Sequence, residues 1–284
     1  LGLTAIAAAG SRPALAKTDA SAEDQPEKPL HPDEQVACLV DTTRCIGCRK
    51  CEEACNRANH LPRPEKPFSD QWVLRQDRRP SKDAFTVVNS YAGCPSKVQK
   101  ERKETFVKTQ CMHCLDPSCV SACIVAALRK TEAGPVIYDA DRCIGCRYCM
   151  VACPFEIPAY DYDDPITPEV RKCTFCVDHT KKTGANPSCA KACPMETIVF
   201  GRRSELLLFA RKRIMDRPDR YISHIYGEKE VGGTSWLYIV GRPAEQVGLP
   251  KMTDVAPPRL TEAIQHGIFR YGAAPMAIYA GLAG

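Results

Sequence analysis

Sixteen of the eighteen cysteines in this 284-residue chain fall into four tight groups. They are Cys45-x2-Cys48-x2-Cys51-x3-Cys55, Cys111-x2-Cys114-x4-Cys119-x3-Cys123, Cys143-x2-Cys146-x2-Cys149-x3-Cys153 and Cys173-x2-Cys176-x12-Cys189-x3-Cys193. Thiolates are soft ligands, and three at i, i+3 and i+6 on one loop suit a cubic iron–sulfur cluster. Four groups of four predict four [4Fe–4S] clusters. A chain with four redox centres and little other chemistry is suited to moving electrons.

Two blander uses of so many cysteines fit worse. Thiols two residues apart on one loop are poorly placed to pair, and a disulfide framework has no reason to repeat one spacing four times. Zinc usually takes two separated C-x2-C pairs, not a run of three with a fourth at i+10. A structural zinc protein remains the alternative from a different class. The formal charge of +5 counts cysteines as neutral. Cluster-bound thiolates would make the loaded chain more negative, and its basic residues are scattered among acids, so no nucleic-acid partner is expected.

The elements that must hold these loops are short. Cys45-Ile-Gly-Cys-Arg-Lys-Cys-Glu-Glu-Ala-Cys55 and Cys143-Ile-Gly-Cys-Arg-Tyr-Cys-Met-Val-Ala-Cys153 agree at eight of eleven positions. Each follows a β-prone run (Val36–Val40; Val136–Tyr138) and an Asp-containing turn, and a short helix carrying the last cysteine is expected after each. Gly47 and Gly145 suit positive φ and close approach of backbone N–H groups to sulfur. Pro154 and Pro194 turn the chain away after the last cysteine, where Asn56 and Ile124 stand in the other two groups.

In two-cluster bacterial ferredoxins the fourth cysteine of each run serves the other cluster. The second and third groups lie close in sequence and form the obvious pair. One cluster then takes Cys111, Cys114, Cys119 and Cys153, and its mate Cys143, Cys146, Cys149 and Cys123. By elimination the outer groups exchange: Cys45, Cys48, Cys51 and Cys193, with Cys173, Cys176, Cys189 and Cys55. The expected fold is α+β and loop-rich, consistent with 23 prolines and 7% aromatic residues. It comprises two ferredoxin-like units with an insert and a C-terminal extension. Residues 36–60 with 165–202 form the outer unit, 61–103 the insert, 104–164 the inner unit and 203–262 the extension. Phe85–Tyr91 reads as a strand, Ser204–Met215 as a helix N-capped by Ser204, and Tyr226–Val240 as a Gly-rich turn entering an apolar strand. That extension is expected either to cover the cluster units or to dock a partner.

The ends add expectations about place. Residues 1–35 read as an export-signal remnant, closing on Ala14-Leu-Ala16, followed by a flexible tail. The weak hydrophobicity of that stretch favours a twin-arginine signal. Residues 263–284 read as a membrane-proximal apolar segment, either the first part of an anchor or an interfacial piece. Cys38 reads as a small core residue. Cys94, in a turn of the insert, could be free or pair with another thiol. His113, inside Cys111-Met-His-Cys114, reads as a donor to sulfur rather than a ligand. No G-x-S-x-G, Walker A or G-x-G-x-x-G motif is present, so no catalytic residue is assigned and the chain reads as non-catalytic.

The four-group pattern resembles the ferredoxin-like electron-transfer subunits of membrane-bound bacterial oxidoreductases. That family serves formate dehydrogenases, nitrate, polysulfide and dimethyl sulfoxide reductases, and some hydrogenases. Within it, the chain is most similar to the iron–sulfur subunit of periplasmic, quinone-linked nickel–iron hydrogenase. Cys111–Cys123, Gly145–Pro154, Ile225–Thr234 and Ile264-Gln-His266 carry that similarity. The resemblance implies outer-with-outer and inner-with-inner pairing. It also implies a catalytic hydrogenase partner, an integral membrane quinone-reactive subunit, and a location on the periplasmic side of the inner membrane. A molybdenum or tungsten enzyme, such as formate dehydrogenase or a polysulfide-type reductase, is the alternative partner.

Overall fold

The computed structural model describes residues 31–93, 104–164, 169–259 and 261–264. The expectations for the signal remnant, for Cys94 and for nearly all of the apolar C-terminal segment lie outside these residues. Among the described residues no helix is long and apolar enough to cross a membrane.

The first half contains β1 (Val36–Asp41), α1 (Lys50–Ala58), β2 (Thr86–Ala92), β3 (Glu104–Gln110) and α2 (Ser118–Ser121). The middle contains β4 (Leu128–Lys130), β5 (Val136–Tyr138), α3 (Tyr148–Ala152), β6 (Ala159–Tyr160) and β7 (Val170–Arg171). The remainder is α4 (Val177–Thr183), α5 (Ser188–Lys191), β8 (Ile198–Arg202), α6 (Arg203–Asp216), β9 (Ile225–Tyr226) and β10 (Trp236–Ile239). This is a mixed, loop-rich α+β chain.

Its main sheet has the order β8-β1-β10-β9. Strand β10 lies parallel to β1, with Cys38 opposite Trp236 and Val40 opposite Tyr238. Strand β8 runs antiparallel on the other side of β1. The C-terminal extension therefore supplies a central strand. Both faces of β1 and β10 are buried, which explains why they read as continuous apolar runs rather than alternating ones. Ala37, Leu39, Leu237 and Ile239 pack with Leu206, Leu207 and Ala210 of α6. Cys38, Val40, Trp236 and Tyr238 face the opposite way, into a core that includes Phe175 and Cys189. One sheet face thus rests on a helix and the other on cysteine loops.

Three smaller two-stranded sheets carry the rest: β2–β3, β4–β5 and β6–β7. The strand expected at 85–91 is β2, displaced by one residue, and it pairs with β3 along its whole length. The α6 helix begins differently from expectation. Its N-cap position is Arg202, without a side-chain cap. Strand β8 runs straight into the helix, and the Arg203 and Ser204 amides donate to the carbonyls of Gln35 and Asp33. Backbone acceptors from the segment that leads into β1 replace the hydroxyl.

Candidate metal centres

The two homologous cysteine loops share one backbone shape. Gly47 and Gly145 both sit at φ 68°, and the residues two further on, Arg49 and Arg147, are left-handed at φ 59° and 60°. A Cβ on Gly47 would stand 2.7 Å from the Phe106 ring, so only glycine lets β3 close over the loop. Each loop is anchored by its Asp turn. Buried Asp41 accepts from Thr43 Oγ1 at 2.6 Å, Tyr221 Oη at 2.7 Å and Arg213 at 2.9 Å. Asp139 accepts from the Asp141 amide at 3.2 Å.

The helices after the loops carry the third cysteine in every group: Cys51 in α1, Cys119 in α2, Cys149 in α3 and Cys189 in α5. Only α1 also carries the fourth, Cys55. Cys153 is the C-cap of α3, while Cys123 and Cys193 follow the C-caps of α2 and α5. The expectation of a helix bearing the last cysteine thus holds for the first group alone. The other helices stop at four or five residues, short of their fourth cysteine.

Folding brings cysteines from different groups together. Cys45, Cys48, Cys51 and Cys193 line one small cavity, together with Val40, Val88, Lys108, Thr197 and Ile198. For the other groups, the charges that each thiol feels come in part from cysteines of a different group. Burial pushes Cys55 up, and the Cys173, Cys189 and Cys176 thiolates add to it. Cys114 is raised by burial, then by Cys111, Cys153 and Cys119. Cys149 is pushed up to about 11 by burial, then by Cys123, Cys143 and Cys146. Neighbours across quartets link them in a row. Cys51 feels Cys189; Cys173, itself up at about 12 through burial, feels Cys111; and Cys119, likewise at about 12, feels Cys149.

The donor set fits a thiolate-bound cluster. Burial raises Cys51, Cys55, Cys114 and Cys149, so loading must displace protons there and the bound group must supply the compensating positive charge. No set of three or more His, Cys, Asp or Glu among the described residues closes on a single-ion site. Amide donors already point at sulfur: Thr197 N to Cys193 Sγ at 3.3 Å, and Phe175 N to Cys173 Sγ at 3.4 Å. Asn59 Nδ2 approaches Cys55 Sγ at 3.6 Å. Beside the same loops, Thr197 Oγ1, His113 Nε2 and Trp236 Nε1 are buried without a hydrogen-bond partner. Such donors suit sulfur atoms of a bound cluster.

His113 shows how the fold sets this up. Its Nδ1 accepts from the Val136 amide at 2.9 Å, so the ring proton resides on Nε2. Burial keeps the ring neutral, with Lys172 and Lys130 adding to the effect. The ring packs edge-on against Phe175 at 4.9 Å, joining the second and fourth cysteine loops. Cys38 is fully buried in the main core beside the thiols of the fourth group, as a small core side chain would be. The extension supports the second loop directly: Leu115 N donates to Gly233 O at 2.9 Å and Ser235 N to Met112 O at 3.1 Å. It covers a cysteine loop.

Sequence reasoning missed three residues here. Lys108 is buried against Trp236 at 4.3 Å, with Nζ donating to Gln110 Oε1 at 2.7 Å. Lys172 is buried and donates to the Val136 and Cys173 carbonyls at 2.6 and 3.1 Å. Half-buried Lys130 donates to Cys114 O at 2.8 Å, and burial brings its pKa down to about 8. A lone lysine in a strand ordinarily reads as a surface residue, so no sequence signal distinguished them.

The two ends of the row differ from its middle. Cys146 is exposed, as are its apolar sequence neighbours Ile144, Tyr148 and Val151, and so is Ile124 after Cys123. At the other end Ile46 and Met195 are exposed beside Cys45 and Cys193.

Residues 102–203, spanning the second to fourth cysteine groups, match the model of the 4Fe-4S dicluster domain. A protein of Nitratidesulfovibrio vulgaris is 49% identical over 213 residues, which cover 74% of this chain and 55% of that protein. The chain thus spans little more than half of that relative's length. The hydrogenase-2 operon protein HybA of Escherichia coli O157:H7 is 36% identical over 289 residues, 93% of this chain and 86% of HybA. The iron–sulfur subunit of the nitrate-inducible formate dehydrogenase of Escherichia coli K12 is 35% identical over 225 residues, 76% of this chain and 73% of that subunit.

Proposed function

This chain belongs to the iron–sulfur electron-transfer subunits of bacterial oxidoreductases, and from that premise we propose that its four quartets hold four [4Fe–4S] clusters in one relay. Cys45, Cys48, Cys51 and Cys193 hold the first, and Cys173, Cys176, Cys189 and Cys55 the second. Cys111, Cys114, Cys119 and Cys153 hold the third, and Cys143, Cys146, Cys149 and Cys123 the fourth. When bound, each cluster supplies a reversible one-electron site whose potential follows its charge, hydrogen bonds and exposure. The observation that carries this reading is the mixing of groups. Cys193 lines the cavity of Cys45, Cys48 and Cys51, and Cys55 feels the thiols of the fourth group.

The protein's own part is positional. The neighbour pairs Cys51–Cys189, Cys173–Cys111 and Cys119–Cys149 favour the order just given. The apolar sheet face and the aromatic rings of Phe175 and Trp236 keep water from the middle of the row. The exposed apolar residues that flank Cys146 and Cys45 in sequence suit surfaces across which electrons come and go.

The partner is a periplasmic nickel–iron hydrogenase, working with an integral membrane subunit that reduces quinone. The similarity to HybA, which extends over 93% of the chain, supports the hydrogenase. A formate dehydrogenase-type molybdenum or tungsten enzyme is the second reading, supported by a similarity confined to 76% of the chain. Export by a twin-arginine signal to the periplasmic side of the inner membrane completes the proposal, on the strength of the apolar Ala/Gly-rich residues 1–16. Metal analysis of the complex that co-purifies with this chain from solubilised membranes tests the partner. Nickel with abundant iron is the expected result; molybdenum or tungsten without nickel transfers the relay to the second partner. Iron and acid-labile sulfide near sixteen each per chain (four per cluster,) tests the count, and a value near eight overturns it.

A further inference from the structure

Lys108 sits where a lysine is costly. It is buried at 3% exposure in β3, and no carboxylate among the described residues lies within ion-pair distance of it. Among the described residues, its hydrogen-bond partner is the neutral Gln110 Oε1 at 2.7 Å. Gln110 is in turn held, donating from Nε2 to Tyr238 Oη at 2.7 Å, while that hydroxyl donates to Lys108 O at 2.9 Å. The Trp236 ring lies 4.3 Å from the ammonium. A buried ammonium with neutral partners either loses its proton or finds an anion.

The anions it can find are the ligand thiolates of a loaded cluster, and they come from two quartets. Lys108 lines the cavity of Cys45, Cys48, Cys51 and Cys193. On its other side, the Trp236 ring that it packs against lies 5.8 Å from Phe175 of the fourth cysteine loop and shares one core with Cys189. Burial would push the Lys108 pKa down, but Cys189, Cys51 and Cys173 outweigh it and the pKa is raised. In return Lys108 pulls down on Cys51, Cys55, Cys173 and Cys189. The third quartet answers to different lysines, and Cys149 of the fourth to none. Cys114 is eased by Lys130 and Cys119 by Lys172, and no lysine is among the groups that shift Cys149.

We propose that Lys108 is the shared counter-ion of the two outer quartets, a buried positive charge that raises the reduction potentials of both outer clusters together and leaves the inner two largely untouched. The inference rests on the cluster assignment above. Reduction adds negative charge to a cluster, so a nearby ammonium in a dry core favours the reduced form. One lysine then sets the energetic step between the outer and inner pairs. Lys108 acts as a tuning residue and ligates nothing.

The test is a potentiometric titration of the full, cluster-loaded chain under anaerobic conditions, followed by electron paramagnetic resonance. K108M is expected to shift two of four midpoints to lower potential and leave the other two in place. K108R, which keeps the charge, is expected to retain all four near their native values. Unmoved midpoints in K108M, an equal shift of all four, or K108R shifting as far as K108M would each overturn the proposal. Iron content is measured alongside. If K108M loses clusters, K108Q is titrated in its place and judged by the same outcomes. A native chain lacking four midpoints sinks the relay reading itself, whereas four native midpoints that ignore the substitution sink only the role of Lys108.

Discussion

Cys51 and Cys55 lie one turn apart on α1, yet the thiols around them belong to different quartets. Cys51 shares a cavity with Cys45 and Cys48, while Cys55 feels Cys173, Cys176 and Cys189. A helix presents i and i+4 on one face, so two clusters can be served by one helix only if both pack along that face. This gives a sharp expectation for Cys55→Ser. The damaged cluster should be the one held by the fourth cysteine group, and the chain should lose up to about four irons. Resonance spectra compared with Cys45→Ser would check it. The same signal disappearing in both variants would mean that each run keeps its own cluster.

At the scale of elements, the long insert is held by a carboxylate that the sequence did not advertise. Glu52 on α1 is 4% exposed and accepts from Arg49 at 2.8 Å and Arg78 at 2.7 Å, and its Oε1 also accepts from the Val88 amide at 2.6 Å. Arg78 in turn donates to Val88 O, and Asn89 Nδ2 to Arg78 O. One acid therefore fastens β2 and the loop before it to the first cluster helix. Glu52→Gln would leave two guanidinium groups, one of them fully buried, without their anion. A loss of about 3–5 kcal/mol is expected, as for breaking buried ion pairs generally. Urea denaturation monitored by circular dichroism would measure it, and a change below about 0.5 kcal/mol, the size of an ordinary surface substitution, would show that the pairs contribute nothing.

For the molecule as a whole, the sheet and the thiols depend on one another. β10 reaches the centre of the sheet from near the end of the described chain, and its Trp236 and Tyr238 close the core over the outer quartets. Removing iron should therefore be felt far from the cysteines. With the clusters stripped by chelator and oxidant, buried thiols face one another with no cation between them, and folding loses the binding energy of the cluster. The stripped chain is expected to melt at a clearly lower temperature, with loss of near-ultraviolet signal from Trp236. An unchanged melting curve would mean that the apolar core suffices alone. Trp236→Ala is expected to cost about 3–5 kcal/mol through lost burial and the cavity left behind, readable as a shift in the denaturation midpoint.

The kind of cluster was legible in the sequence because its motif is local. A C-x2-C-x2-C loop dictates its own curvature through bond lengths, glycine and the short helix that follows, whatever surrounds it. The strands at 36–41, 86–92 and 136–138 were legible for a similar reason, since β-branched runs bounded by turns declare themselves. Reciprocal pairing was only an expectation, drawn from spacing and a general rule. The thiols that share a cavity or feel one another's charge are known from the fold alone, because contacts between residues 45 and 193 or 55 and 173 have no local trace. The same holds for Lys108 and Glu52, which look like surface charges until β3 and α1 bury them, and for β10, whose place beside β1 is set by which apolar face can be covered from both sides.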